Sequence, residues 1–120
     1  MDILILEDSS QLLDLMKEAF EIAGHHVRAV TNAQAGLALL NALDFSPRAI
    51  ICDFGLPDMD GVTFVQHVRE HPAHRDALVI VMSGSDEHRA IALSAGAHYY
   101  LSKPFSIQEL TDMIESSVSP

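Results

Sequence analysis

The chain of 120 residues has room for a single domain with one hydrophobic core. Its composition, 48% hydrophobic and 20% charged, is typical of a globular protein rather than a disordered one. The 17 acidic residues outnumber the 7 lysines and arginines and give a net charge of -10, which opposes direct binding to nucleic-acid phosphates.

The chain also lacks the patterns of membrane and secreted proteins. No apolar run approaches the ~20 residues that a membrane-spanning helix needs, and Met1 and Asp2 do not begin a basic signal-peptide region. The single cysteine, Cys52, cannot form an internal disulfide and is interpreted as a small buried hydrophobic residue. These features predict a cytoplasmic protein that does not contact membranes.

Five short apolar runs have the length and composition of buried strands. They span residues 3–6, 26–30, 49–52, 78–82 and 97–101. Between them, apolar residues recur at spacings of three and four, which indicates amphipathic helices. Gly24 and Gly96 are predicted to end two of these helices, and the capping-box pattern "SIQE", starting at Ser106, is predicted to begin the last one.

Strict alternation of strands and helices predicts a parallel sheet covered by helices on both sides. We therefore predict an α/β, doubly wound (βα)5 fold of the flavodoxin-like type, with five strands in the order 2-1-3-4-5. The segment "SSVSP" at the end of the chain, residues 116–120, is predicted to be a linker at which the domain ends, with a further segment possible beyond it.

Polar residues follow four of the predicted strands. Glu7 and Asp8 follow the first strand, Asp53 the third, Ser83 the fourth and Lys103 the fifth. In the order 2-1-3-4-5, the first and third strands flank the point where strand order reverses, so the three carboxylates should converge there. Their mutual repulsion calls for a cation, and oxygen ligands favour Mg²⁺. With Lys103 and Ser83, the set is suited to phosphoryl transfer, with Asp53 as the nucleophile.

Over essentially its whole length, the chain resembles the receiver domain of two-component response regulators. The matching motifs are "ED" after the first strand, Asp53 with "LPDMDG" behind it, "SG" after the fourth strand and "KPF" after the fifth. The combination of these motifs, in this order at successive strand ends, is far more specific than any one of them.

The resemblance implies a role for each matching residue. Asp53 is the expected phosphoacceptor, and Glu7, Asp8, Asp53 and the main-chain carbonyl of Gly55 are the expected Mg²⁺ ligands. Ser83 and Lys103 are expected to contact the phosphoryl group. Tyr100 is the expected switch aromatic, with Ser83 as its partner in the switch, and the peptide bond between Lys103 and Pro104 is expected to be cis.

The resemblance also implies a function and partners. We expect residues 1–120 to form a single receiver domain that takes a phosphoryl group from a phosphohistidine of a histidine kinase or histidine phosphotransfer protein. Its change of conformation would control an output domain or effector protein. It would catalyse only its own phosphorylation and dephosphorylation. The alternative function is a receiver-like interaction module that phosphorylation does not regulate.

Several residues have simpler interpretations. Asp53 could begin a turn, Glu7 and Asp8 could be solvated charges, and Ser83 could cap a helix, although Ser85 is better placed for that. Tyr100 could be a packing residue of a strand.

The histidines of the third helix offer a further possibility, because His67 and His71 are four residues apart and His74 follows. The polar character of this stretch favours a solvent-facing helix end over a zinc site.

Overall fold

The computed structural model of the protein describes residues 1–118, and for Val118 the backbone alone. Strands and helices alternate along the chain. The strands are β1 Asp2–Leu6, β2 His26–Val30, β3 Ala49–Asp53, β4 Leu78–Ser83 and β5 Tyr99–Ser102. The helices are α1 Ser10–Ile22, α2 Ala33–Leu40, α3 Gly61–Glu70, α4 Arg89–Ala95 and α5 Ile107–Val118, with a 3-10 turn, Asp86–His88, directly before α4.

The five strands form one parallel sheet in the order β2-β1-β3-β4-β5, as predicted. In the register, Leu6 of β1 lies opposite Cys52 of β3, and Asp53 of β3 lies opposite Met82 of β4. Ser83, the last residue of β4, lies opposite Ser102 of β5. The carboxyl ends of β1, β3, β4 and β5 therefore meet along one edge of the sheet.

Hydrophobic side chains cover both faces of the sheet, because successive residues of a strand point to opposite sides. On one face, Ile50 belongs to a buried cluster that includes side chains of α2, α3 and α4. On the other face, Ile51 belongs to a cluster that includes side chains of α1 and α5. The doubly wound arrangement is thus confirmed, and β3 lies between two cores.

The helix ends follow the predicted capping chemistry. The N–H of Glu109 donates to Oγ of Ser106 at 3.0 Å, at the start of α5. Gly24 and Gly96 have φ angles of 96° and 120°, in the left-handed region where glycine is favoured. These two residues end α1 and α4 as predicted.

The boundaries predicted for β5 and the terminal linker were wrong. The strand begins at Tyr99 rather than Ala97, because the N–H of Ala97 donates to Ala92 O at 3.1 Å and completes the end of α4. Ser116 and Ser117, expected in a linker, belong to α5, which continues to Val118. The remaining two positions of that segment, 119 and 120, lie outside the described residues.

Two buried residues complete the comparison with the sequence. Cys52 is buried as predicted, and burial is the main reason that the pKa of its thiol is raised. His74, expected in a solvent-facing stretch, is instead buried, and its Nε2–H donates to Leu40 O at 2.6 Å. The prediction was wrong for His74 because the loop after α3 folds back onto the end of α2.

None of the helices in the described part of the chain has the length and hydropathy required to cross a membrane.

Candidate functional site

Three carboxylates meet at the carboxyl edge of the sheet. Glu7 follows β1 and is 1% exposed, whereas Asp53 ends β3 and is 6% exposed. Asp8 is exposed to solvent. One oxygen from each of the three carboxylates lies within 4.8 Å of the others, and they form the one potential metal-binding cluster found among residues 1–118. The structure therefore brings together the three acidic residues that the sequence predicted.

Lys103 is the cation of this cluster. Its Nζ lies 2.7 Å from Oε1 of Glu7 and 3.4 Å from Oδ2 of Asp53. Partial burial by itself lowers the pKa of Lys103, but the hydrogen bond to Glu7 and the charge of Asp53 outweigh burial, and the pKa is raised. The ammonium group is therefore charged at neutral pH. The peptide bond between Lys103 and Pro104 is cis, as expected.

Glu7 experiences the opposite balance. Burial raises the pKa of its carboxyl group, and the nearby charge of Asp53 raises it further, against the hydrogen bonds from Lys103 and Ser9. The N–H of Ser9 donates to Oε2 at 3.0 Å, so both oxygens of Glu7 have partners. This carboxylate therefore has a hydrogen-bond partner for each oxygen but lies in an environment that disfavours its negative charge.

Two glycines of the turn after β3 use their main-chain N–H groups for hydrogen bonds within it, and one of them allows a close approach of the backbone. The N–H of Gly55 approaches Oδ1 of Asp53 at 3.4 Å, and the N–H of Gly61 donates to Phe54 O at 2.8 Å. A Cβ atom at Gly61 would lie 2.8 Å from Cα of Phe54, which is too close for any other residue without a shift of the backbone. Close approach of two backbone segments thus explains the glycine that follows "LPDMD".

Asp58 ties this turn to the neighbouring helix. Its two carboxylate oxygens accept hydrogen bonds from the N–H groups of Ala33 and Gln34, the first residues of α2, at 2.8 and 2.9 Å. These two bonds are the main reason that the pKa of Asp58 is lowered. This role of Asp58 is not predictable from the sequence, because nothing in the motif indicates that α2 lies beside this turn.

Ser83 and Tyr100 lie beyond the carboxylate cluster but are connected through Ser85. The N–H of Ser85 donates to Oγ of Ser83 at 3.2 Å, and the hydroxyl of Tyr100 donates to Ser85 O. Ser83 is buried at the end of β4, and its main-chain oxygen accepts from the N–H of Lys103 at 2.7 Å. Ser85 also caps the 3-10 turn by accepting from the N–H of Glu87 at 3.2 Å, as predicted.

Further residues around this edge were missed by sequence reasoning. The ring of Phe54 stacks on the imidazole of His88, with centroids 3.8 Å apart and planes at 8°. Arg89 pairs with Asp86 at 3.2 Å and lies over the ring of Tyr100. The three-residue spacing of Asp86 and Arg89 is a recognisable helical ion-pair pattern, but their contact with β5 depends on the tertiary fold.

Comparison with known proteins agrees with this arrangement. The family model of the response regulator receiver domain matches residues 3–115. The chain belongs to this family. The receiver domain is 40% identical over 111 residues to the KDP operon transcriptional regulatory protein KdpE of Escherichia coli (strain K12). That match covers 91% of this chain but only 47% of KdpE, so the receiver domain spans about half the length of this relative.

Solved structures show the same fold. A CheY-like response regulator receiver domain protein from Methanospirillum hungatei is 28% identical, with a TM-score of 0.88, and the match covers 97% of this chain and 91% of that one. The response regulator TrrA of Thermotoga maritima, solved in complex with Mg(2+)-BeF, is 22% identical with a TM-score of 0.83 and 96% coverage of both chains. The receiver domain thus has the flavodoxin-like, CheY-type fold of two-component signalling proteins.

Proposed function

We propose that this receiver domain takes a phosphoryl group from a phosphohistidine of a histidine kinase or a histidine phosphotransfer protein onto Asp53. A carboxylate oxygen of Asp53 forms the new bond to phosphorus, and the bond from phosphorus to the imidazole nitrogen breaks. The electron pair of that bond leaves with the imidazole. The domain catalyses only its own phosphorylation and dephosphorylation and is not an enzyme acting on an external substrate.

The observation that carries this proposal is the cluster of three carboxylates with Lys103 in contact with two of them. Asp53 sits at the end of a strand, so its backbone is held by the sheet while its carboxylate faces the loops. The ammonium of Lys103, 3.4 Å from Asp53, is placed to counter the negative charge of a phosphoryl group arriving at that carboxylate.

The donor set also fits Mg²⁺. Oxygen atoms of Glu7, Asp8 and Asp53 lie within 4.8 Å of one another, which suits a small, hard cation. With the main-chain carbonyl of Gly55, these residues would hold Mg²⁺. When bound, the ion supplies positive charge that offsets the charge of the transferring phosphoryl oxygens. The Mg(2+)-BeF complex of TrrA is consistent with such a site in this fold.

Ser83 and Tyr100 form the proposed switch. A phosphoryl group on Asp53 adds hydrogen-bond acceptors, toward which the hydroxyl of Ser83 moves. Because Ser85 bonds to Ser83 on one side and to Tyr100 on the other, this movement changes the position of the segment before α4. The ring of Tyr100 is buried, and its hydroxyl donates to Ser85 O. The switch therefore works by changing the stability of this buried orientation relative to an exposed one.

The proposed context follows from the family and the charge. We propose that residues 1–120 are a single cytoplasmic receiver domain that controls an output domain or an effector protein. KdpE is named a transcriptional regulatory protein, and this chain covers 47% of it. This likeness supports control of an output domain that regulates transcription. The net charge of -10 supports an output that does not involve nucleic-acid binding by this domain itself, and membrane contact is not expected.

Phosphorylation in vitro tests the proposal. Incubation with Mg²⁺ and acetyl phosphate should add one acid-stable, base-labile acyl phosphate, detected by mass spectrometry. Asp53→Asn should abolish the modification, whereas Asp44→Asn, which changes an exposed aspartate outside the cluster, should not. Lys103→Ala should slow labelling by about 10²- to 10³-fold, the effect of removing one preorganised electrostatic group.

Two results would argue against this function. Equal labelling of Asp53→Asn and the unmodified sequence would identify another acceptor. Absence of labelling, combined with partner binding that does not depend on Asp53, would favour the alternative of an interaction module that phosphorylation does not regulate.

A further inference from the structure

The ring of Tyr100 is enclosed from two sides. Its inner side packs in the hydrophobic cluster beneath α3 and α4, and the residue is 5% exposed. Its hydroxyl donates to Ser85 O at the far end of the ring. On the remaining side, the guanidinium carbon of Arg89 lies 4.9 Å from the ring centroid, within the range of a cation-π interaction.

Arg89 is itself held in place by three hydrogen bonds. Nη1 of the guanidinium donates to the main-chain oxygen of Tyr100 at 3.3 Å. Nη2 donates to Oδ1 of Asp86 at 3.2 Å and to Oγ of Ser102 at 3.3 Å. The planar, forked guanidinium can make these bonds and present its face to an aromatic ring at the same time.

Asp86 and Ser102 also bond to each other. The hydroxyl of Ser102 donates to Oδ1 of Asp86, the same oxygen that accepts from Arg89. These bonds, first that from Ser102 and then that from Arg89, lower the pKa of Asp86. The 3-10 turn, α4 and β5 are therefore joined by one polar network across the outside of the Tyr100 ring.

We propose that Arg89, anchored by Asp86 and Ser102, is a latch that stabilises the buried orientation of Tyr100. None of its four contacts involves the side chain of Asp53, Ser83 or Lys103. The latch therefore does not require a phosphoryl group on Asp53, and it sets the fraction of molecules whose ring is buried before any modification. Its regulatory meaning rests on the proposed function, because Tyr100 is a switch residue only in a domain that Asp53 controls.

The latch has a consequence for the response to phosphorylation. If the ring is already mostly buried, a phosphoryl group changes its orientation only slightly. Loss of the latch lowers the buried fraction, so the same phosphoryl group then produces a larger change. By linkage, loss of the latch must also weaken the binding of any ligand at Asp53 that favours the buried ring, by no more than the fall in the fraction of molecules whose ring is buried.

The orientation of the ring can be measured directly. With 3-fluorotyrosine in place of tyrosine, ¹⁹F NMR gives one signal each for Tyr99 and Tyr100, and Tyr99→Phe assigns them. The difference in chemical shift between H₂O and D₂O reports exposure of the ring. Arg89→Ala should lower the ratio of buried to exposed Tyr100 by about threefold to tenfold, the range expected for a cation-π contact and one hydrogen bond. Arg89→Lys keeps the positive charge but not the forked guanidinium, so its ratio of buried to exposed Tyr100 should lie between those of the unmodified domain and Arg89→Ala.

Arg28→Ala is the matched control. Arg28 also lies over an aromatic ring, with 5.3 Å from its guanidinium carbon to the centroid of Phe45, but it belongs to β2 at the opposite edge of the sheet. Its removal should leave the Tyr100 signal unchanged. A Tyr100 signal that is unchanged in Arg89→Ala, or that shifts equally in Arg28→Ala, would overturn the latch.

Titration with Mg²⁺ and beryllofluoride, a phosphoryl mimic, tests the regulatory part. The mimic should return the Tyr100 signal of Arg89→Ala to its buried position. Its affinity for Arg89→Ala should be lower than for the unmodified domain, in proportion to the measured fall in the buried fraction of the ring. If Arg89→Ala exposes the Tyr100 ring but binds the mimic as tightly as the unmodified domain does, the ring is not coupled to Asp53. Failure of the unmodified domain to bind the mimic would count against the proposed function, whereas the ring measurement without additives still decides whether the latch exists.

Discussion

Glu7 combines a place in the proposed metal site with an environment that disfavours its charge. Its carboxylate is almost completely buried beside Asp53, and its folded-state pKa is raised. For an acid with a raised pKa, the stabilisation is present at low pH and is lost as the pH rises through the folded-state value. At neutral pH the charged form of Glu7 therefore lowers the stability of the fold, even though Lys103 partly compensates it.

Glu7→Gln should separate stability from metal binding. In the absence of Mg²⁺, the substitution should raise the free energy of unfolding, because it removes a buried charge next to Asp53 but keeps an acceptor for Lys103. It should also weaken Mg²⁺ binding. Urea unfolding with and without Mg²⁺ measures both effects, and Glu18→Gln on the exposed side of α1 is the control. Lower stability of Glu7→Gln without metal would show that the ion pair outweighs the burial of the charge.

The convergence of residues at the ends of strands was predictable from the sequence. Asp53 and Lys103 each stand at or just after the end of a strand, so a parallel sheet brings them together. The network of Arg89, Asp86 and Ser102 was not predictable, because it joins three segments whose relative positions depend on packing. The burial of His74 was missed for the same reason, since its partner Leu40 belongs to a distant helix.

Among the elements, the turn after β3 and the helix α2 depend on each other through Asp58. Its two hydrogen bonds satisfy N–H groups at the start of α2 that have no partner within the helix. A negative charge at this end of a helix is favourable. The same bonds restrain the turn that contains Gly55, a proposed ligand of Mg²⁺.

The contribution of Asp58 should depend on pH. Its folded-state pKa is lowered from the ordinary value of 3.8, so its stabilising effect is present above that value and is lost as the pH falls through the folded-state pKa. Asp58→Asn should therefore be less stable than the unmodified sequence at pH 6, and the difference should shrink below about pH 4. Thermal unfolding from pH 3 to pH 7 measures this. A difference that stays constant over the whole range would mean that the charge of Asp58 is not involved.

Among the secondary-structure elements, the apolar runs predicted the five strands, and the three- and four-residue spacing of apolar residues predicted the five helices. The errors were confined to boundaries, as at β5, where the N–H of Ala97 is bonded to α4 rather than to the sheet. Helix and strand propensities do not decide whether the N–H of a boundary residue bonds to the preceding helix or to the neighbouring strand. The link between Asp58 and α2 is a similar case, because "LPDMDG" gives no indication of which helix lies beside it.

For the whole molecule, the sheet is shared by the two hydrophobic cores. Ile50 and Ile51 are neighbours in β3 but face opposite clusters, and both are completely buried. Ile50→Val and Ile51→Val should each lower the free energy of unfolding by about 0.5–1.5 kcal/mol. Each variant should still unfold in a single transition, shifted toward lower stability and seen alike by circular dichroism and tyrosine fluorescence. Neither core can unfold without losing the sheet that both share. Two separate transitions in either variant would show that the faces unfold independently.

The ion pair between Lys103 and Glu7 joins residues that are 96 positions apart in the chain. During synthesis, the acidic residues of β1 and β3 emerge from the ribosome first, and the cation that completes their site emerges only with the fifth strand. A nascent or truncated chain without β5 has the carboxylates of Glu7 and Asp53 but lacks the ammonium group beside them. Any chemistry that requires Lys103 therefore begins only when the last strand has joined the sheet.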